Sequence, residues 1–224
     1  MAGWDYKEVK TETGARVAVL IPHRDEKDVR AWRIWWDRLN KDGCTWFEQR
    51  GFSLTTNRTQ LVRLALANKD ITHVFFLDDD VMCPDNIIPT LISAGLPIVC
   101  GLYMAKKKSA ERGLAAWMWV EKSETEKGYM PITPEQPGRF MEVDVTGLGC
   151  AMIHRSVFER VPEPWFVWEP PPAPSEDFFF FDKVSKALKV DGKPLKPVID
   201  MTMKCNHIGL FVLDCDGKFE TPEI

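Results

Sequence analysis

The chain has 224 residues, enough for one domain or a domain with a small appendage. Hydrophobic residues make up 45% and charged residues 28%, a balance that excludes a disordered chain. The 29 basic and 33 acidic residues leave a net charge of -4, so nucleic acid is not indicated as a partner, because proteins that grip its backbone carry a basic excess. Six cysteines, at positions 44, 83, 100, 150, 205 and 215, show no CxxC spacing and no zinc-finger arrangement with histidine. Four lie among apolar or small residues, which reads as buried thiols in a reducing compartment, and the expected location is cytoplasmic. MAGWDYKEVK lacks the apolar core of a signal peptide, and no apolar run reaches the roughly 18 residues of a membrane span.

Arg16 to Pro22 (RVAVLIP) predicts a buried parallel strand. Residues 26 to 40 place Val29, Trp32, Ile34, Trp35, Trp36 and Leu39 on a broad helical stripe, and a second helix is expected from about Thr59 to Asn68. His73 to Leu77 (HVFFL) predicts another buried strand, which stops at three aspartates. A helix through Ile87 to Ile92 and a strand from Pro97 to Tyr103 complete three strand–helix alternations, the pattern of a mostly parallel sheet covered by helices. Residues 104 to 113 are polar and basic and read as a loop. Trp117 to Val120 and Phe140 to Val145 read as strands, and Gly147 to Ile153 (GLGCAMI) leads into a helix at Ser156 to Arg160. The proline-rich stretch 169 to 175 can be neither helix nor inner strand, and a last helix covers about 176 to 189. The expected architecture is one α/β domain whose second half decorates the first.

The chemistry should lie beyond the carboxyl ends of the strands, where Asp78, Asp79 and Asp80 follow HVFFL. Three crowded carboxylates repel one another, and a divalent cation would offset that. On an extended backbone Asp78 and Asp80 project to one side and Asp79 to the other. Such oxygen ligands suit Mn²⁺ or Mg²⁺, while the alternative is a solvated acidic turn. Ser175 precedes Glu176 and Asp177, an N-cap with two acids in the first turn of the last helix. Either acid could serve as a base, and the helix end should keep it ionised at neutral pH. His207 stands alone in KCNHIG and gains meaning only from its company.

Taken in order, the aspartate triplet, VDVTGLGCAMIHRSVFERV, PWF, SEDFFFF and CNHIG resemble the small GT-A glycosyltransferases related to glycosyltransferase family two. The resemblance runs from about residue 16 to 210. It implies a single GT-A type α/β domain over residues 1–224, with residues 16–103 as the nucleotide-sugar-binding half and 114–210 as the acceptor and catalytic half. Asp78 and Asp80 match the DxD pair, with His207 completing the metal site, and Asp78 and Asp79 are expected on the donor side. Asp177 matches the base of inverting members, with Glu176 beside it. Pro22, His23 and Arg24 match the segment lining the nucleobase. Arg58 lies where relatives carry an Arg-Asn pair, although here Asn57 precedes it and Thr59 follows, which leaves the donor contacts of that segment open. Gly147 and Gly149 match the turn beneath the acceptor.

Two further readings concern basic and aromatic residues. Lys106, with Lys107 and Lys108, either closes over a diphosphate or forms a solvated basic loop. Trp117, Trp119, Trp165 and Trp168 either stack on a sugar acceptor or fill the core, with Trp117 and Trp168 the acceptor candidates. The function implied is metal-dependent transfer of a sugar from a UDP- or GDP-sugar to an acceptor hydroxyl, with inversion, the acceptor being a glycan or another hydroxyl-bearing molecule. The alternatives are a nucleotidyltransferase of related fold and a non-catalytic nucleotide-sugar-binding module. PHRDEKD after the first strand lacks the glycine-rich loop of the former, and a mere binder needs no base.

Overall fold

The computed structural model describes residues 14–23, 30–105, 113–121, 123, 127–132, 138–168 and 175–208, and the backbone of 212–213 and 219–220. In chain order the elements begin with β1 (Val17–Pro22), α1 (Arg30–Arg38), β2 (Cys44–Gln49), α2 (Leu54–Ala67), β3 (His73–Leu77), β4 (Val81–Met82), α3 (Ile87–Ser93) and β5 (Ile98–Leu102). There follow β6 (Ala116–Glu121), β7 (Lys127–Pro131), β8 (Phe140–Glu142), β9 (Val145–Thr146), β10 (Cys150–His154) and α4 (Arg155–Arg160). The last are α5 (Glu176–Ala187), β11 (Lys189–Val190), β12 (Lys193–Pro194), β13 (Val198–Lys204), β14 (Asn206–Ile208), β15 (Val212–Leu213) and β16 (Phe219–Glu220).

The central sheet has seven strands in the order β2-β1-β3-β10-β5-β13-β8. β1, β3 and β5 are buried along their whole length, because helices cover both faces. Successive side chains enter opposite layers. Ala18, Leu20, Val74 and Phe76 pack with Leu61, Val62 and Ala65 of α2 and with Phe180, Phe181 and Val184 of α5. Val17, Val19, Ile21, Phe75 and Leu77 pack with Trp32 and Trp36 of α1 and with Ile87, Ile88 and Leu91 of α3. Each large side chain so covered contributes about 1.5–3 kcal/mol relative to exposure. Two indoles also act as polar clamps: Trp32 Nε1 donates to the Val81 carbonyl at 3.1 Å and Trp35 Nε1 to that of Cys83 at 2.9 Å. They hold the segment that follows the aspartate triplet.

Several expectations change. The sheet is mixed: β2, β1, β3, β5 and β13 run one way, and β10 and β8 run against them. The second half does not decorate the first, since β10 inserts between β3 and β5 and β13 pairs with β5. GLGCAMI therefore holds a central strand as well as the approach to α4. The expected strand at 140–145 divides into β8 and β9, because Val143 N–H donates to the Pro197 carbonyl and Asp144 N–H to that of Trp117. α2 starts at Leu54, not Thr59, with Ser53 Oγ accepting from Thr56 N–H. Most of 104–113 and 169–175 lies outside the described residues. Among the described residues no helix is long and apolar enough to cross a membrane.

At the amino end of β3, His73 is 3% exposed and packs edge-on against His154, ring centroids 5.0 Å apart. Burial, and then the neighbouring His154, lower its pKa to about 4. The unfolded chain therefore takes up this proton first, and the stability present above pH 6.5 is lost as pH falls from 6.5 towards 4, by at most roughly 3 kcal/mol. His73→Leu should flatten that limb in urea denaturation measured from pH 7 to 4. Parallel losses in both proteins would show that His73 is not its source.

Candidate active site

The carboxyl ends of β1 and β3 open on a cavity of about 240 Å³ whose lining includes Pro22, Asp78, Asp79, Asp80, Tyr103, Trp117, Gly147, Asp177 and His207. β3 ends at Leu77, and the triplet enters a turn in which Val81 N–H donates to the Asp78 carbonyl at 3.1 Å. Strand alternation thus stops before it can sort the three side chains, and each finds a different partner.

Asp78 turns to Arg58. Nη2 of Arg58 donates to Asp78 Oδ1 at 2.9 Å and to Oδ2 at 3.2 Å, and its Nη1 donates to Asp177 Oδ1 at 2.6 Å. Glu176 Oε1 lies 3.2 Å from the same Nη1. Arg58 is 1% exposed and Glu176 2%, so one guanidinium faces three carboxylates where solvent screening is weak. Arg58, expected on the donor side, does not line the cavity itself but holds two carboxylates that do. Glu176, expected beside the base, points into this buried network, and its Oε2 has no hydrogen-bond partner among the described residues.

That charge imbalance reverses one expectation. The helix end should keep Asp177 readily ionised, yet its pKa is pushed up to about 7. Burial is the first cause and the Glu176 and Asp78 carboxylates add to it, outweighing Arg58. Ser175 also provides no side-chain cap to α5. Asp177 keeps 19% of its side-chain surface open. Burial likewise raises Asp78, against Arg58.

Asp79 joins a second network. Its Oδ2 lies 2.7 Å from His23 Nδ1, and His23 Nε2 lies 3.2 Å from Glu48 Oε2. Asn57 Nδ2 donates to the His23 carbonyl at 3.0 Å, which fixes the loop after β1. His23 is 1% exposed, so Pro22 and Asp79, not the imidazole, present this edge of the cavity.

Asp80 and His207 form the third pair. His207 Nε2 is 3.4 Å from Asp80 Oδ1, and Asp80 also accepts the Ile208 N–H through its carbonyl at 2.7 Å. His207 Nδ1 lies 2.7 Å from the Met104 carbonyl, which can only accept. Nδ1 therefore carries a hydrogen, and in the neutral ring the lone pair is on Nε2, facing the carboxylate. A nitrogen and a carboxylate oxygen offered together fit Mn²⁺. Asp78 does not complete a tight set: among the described residues the group of three whose ligand atoms all lie within 4.8 Å of one another is made of cysteines. Mg²⁺ and Mn²⁺ commonly take a few protein ligands and fill the rest from phosphates and water.

Tyr103 closes the floor. Its hydroxyl accepts the Gly149 N–H at 2.9 Å, its ring lies edge-on to His207 at 5.3 Å, and the Gly149 carbonyl accepts Asp78 N–H at 3.1 Å. A Cβ at Gly147 would stand 2.1 Å from the Tyr103 hydroxyl, so that close approach requires glycine. Tyr103 and Glu48 were not foreseen, since nothing near them in sequence marks them. Of the acceptor candidates, Trp117 lines the cavity and leans on Phe178 at 4.9 Å, whereas Trp168 is 58% exposed and does not line it. Trp165 is core, its Nε1 donating to the Val161 carbonyl. Arg24 and Lys106 lie outside the described residues.

No family model matches the chain, and no curated protein sequence matches it. Solved structures do. A197 from STIV superposes with a TM-score of 0.66 at 23% identity, over 93% of this chain and 95% of that one. GalNAc-T7, solved with UDP, GalNAc and Mn²⁺, superposes with a TM-score of 0.54 at 12% identity, over 88% of this chain. The chain spans 44% of the length of GalNAc-T7. The fold is shared with both. At such identities the likeness carries the fold alone.

Removing Arg58 would leave its carboxylates buried without a counter-ion. Arg58→Met should cost about 3–5 kcal/mol of stability, as for other broken buried ion pairs, and adding Glu176→Gln should recover part of it. A loss below about 1 kcal/mol in chemical denaturation would show that the network is not a stability determinant.

Proposed function

We propose that this chain is a metal-dependent glycosyltransferase that moves a sugar from a nucleoside diphosphate donor, UDP or GDP, to an acceptor hydroxyl with inversion. The observation that carries the reading is one cavity that joins a carboxylate–imidazole pair, Asp80 and His207, to a carboxylate of near-neutral pKa, Asp177. The fold shared with GalNAc-T7, a protein solved with UDP, GalNAc and Mn²⁺, supports it. Asp80 and His207 would hold Mn²⁺ or Mg²⁺, which supplies Lewis-acid neutralisation of the departing diphosphate. Pro22 and Asp79 form the edge that would meet the nucleoside, and Trp117 offers an indole face for a sugar.

The acceptor oxygen forms a bond to the anomeric carbon while the bond from that carbon to the diphosphate oxygen breaks. The hydroxyl proton passes to Asp177, and the bonding pair leaves with the nucleoside diphosphate. Attack from the face opposite the leaving group inverts the anomeric configuration. A carboxylate with pKa near the working pH is basic enough to take the proton and still ionised often enough to be ready. Arg58 holds Asp177 in place, and through the same guanidinium ties it to Asp78.

Slow donor hydrolysis by the protein in Mn²⁺, screened across uridine, guanosine and thymidine sugars, identifies the donor without its acceptor. With that donor, Asp177→Asn should lower transfer by roughly 10²-fold and leave donor affinity nearly intact. The rate should fall as pH drops below about 7, because only the deprotonated carboxylate accepts a proton, and the variant should lose that limb. A variant with full activity, or one losing donor affinity in step with rate, would remove Asp177 from the role of base.

A further inference from the structure

Next to the segments that carry the acidic site, three thiols meet inside the core. Cys83 follows β4, Cys150 opens β10, and Cys205 lies between β13 and β14. Cys150 Sγ is 3.4 Å from Cys83 Sγ and 3.7 Å from Cys205 Sγ, and all three sulfurs fall within 4.8 Å of one another. Their exposures are 5%, 0% and 0% for Cys83, Cys150 and Cys205. Cys150 stands 67 residues from Cys83 and 55 from Cys205, so the fold alone assembles the group. Space for it is made at Gly101 of β5, where a Cβ would come within 2.6 Å of Cys150 Sγ and 2.9 Å of Cys205 Sγ.

We infer that Cys83, Cys150 and Cys205 form a binding site for a thiophilic d¹⁰ cation, Zn²⁺ or Cu⁺. Sulfurs bound at about 2.3 Å to one ion stand about 3.8 Å apart in a tetrahedral set and about 4.0 Å apart in a trigonal one. The separations of 3.4 and 3.7 Å reach those values with shifts of a few tenths of an ångström in the sulfur positions. A free thiol in a core behaves as a small hydrophobe; here three sulfurs from separate segments lie within 4.8 Å of one another. Mn²⁺ and Mg²⁺ prefer oxygen, so the thiol cluster and the Asp80–His207 pair would select different ions. On binding, each sulfur–hydrogen bond is replaced by a sulfur–metal bond and the proton goes to solvent. For Zn²⁺ the Met203 carbonyl, which accepts from the Cys205 thiol at 3.5 Å, could add a fourth ligand; three sulfurs alone suit Cu⁺.

The placement gives the ion a task. Cys83 lies three residues beyond Asp80, Cys150 follows Gly149, and Cys205 precedes His207 by two. One ion would thus tie together the three segments that bear the hard-cation pair and the glycine turn beneath the cavity. A structural ion of this kind contributes folding free energy directly.

The test is metal analysis of the full chain purified without chelator, with stripped protein reloaded anaerobically with Zn²⁺ or Cu⁺. One equivalent of zinc or copper per chain is expected, the element itself distinguishing the two, with three sulfur neighbours at about 2.3 Å in X-ray absorption at its edge. Cys150→Ser should lower metal content at least tenfold, and Cys44→Ser should leave it unchanged. If Cys150→Ser does not fold, absorption on the unaltered protein still decides. Protein that is folded yet takes up neither ion, an oxygen- or nitrogen-only shell, or a disulfide joining two of the three cysteines in peptide mapping would overturn the assignment. None of these readouts depends on transferase activity.

Discussion

The buried guanidinium of Arg58 bonds to carboxylates from two places far apart in the chain, Asp78 at the end of β3 and Asp177 at the start of α5. Glu176 makes a third, and all four groups lie where water screens poorly. One positive charge cannot satisfy three negative ones, so burial and the excess of acid together make Asp177, which lines the cavity, reluctant to ionise. A buried network of this kind contributes modestly to net stability but strongly to geometry, since losing the one guanidinium leaves its carboxylates uncompensated. The position and basicity of the proposed base thus both depend on a residue that does not reach the cavity.

The turn after β3 then distributes the triplet. Asp78 is held inward by Arg58, Asp79 sideways by His23, and Asp80 alone meets His207. Three adjacent acids of one residue type acquire three environments because the backbone leaves the strand at Leu77. The crossing of β10 between β3 and β5 brings Gly149 under Asp78 and Tyr103 under Gly149. Cavity floor and walls are therefore built from both halves of the sequence.

β1, β3 and β5 were legible because both of their faces are covered, which leaves unbroken apolar runs. β2 was missed: at the sheet edge, CTWFEQ is half exposed and mixes polar with aromatic residues. β13 was missed although it pairs on both sides, because VIDMTMK alternates too weakly. The reversed direction of β10 has no local signature at all, since it depends on which strands it crosses. Helix-end reasoning gave the wrong sign for Asp177 because it could not know that Asp177 would be buried, beside the Glu176 and Asp78 carboxylates. The grouping of Asp78, Asp79, Asp80, Asp177 and His207 around one cavity agrees with the order of motifs in the chain. The cysteine cluster was invisible, as its members are separated by whole elements of the fold.

The most direct measurement is calorimetric titration of UDP and of GDP into the protein with Mn²⁺ and with EDTA, repeated for Asp80→Asn. One of the two nucleotides is expected to bind with Mn²⁺ and to weaken at least tenfold with EDTA, about 1.4 kcal/mol or more, with Asp80→Asn losing the metal dependence. Binding that is the same with EDTA as with Mn²⁺, or binding of neither nucleotide by folded protein, would contradict a metal-bridged diphosphate at Asp80 and His207.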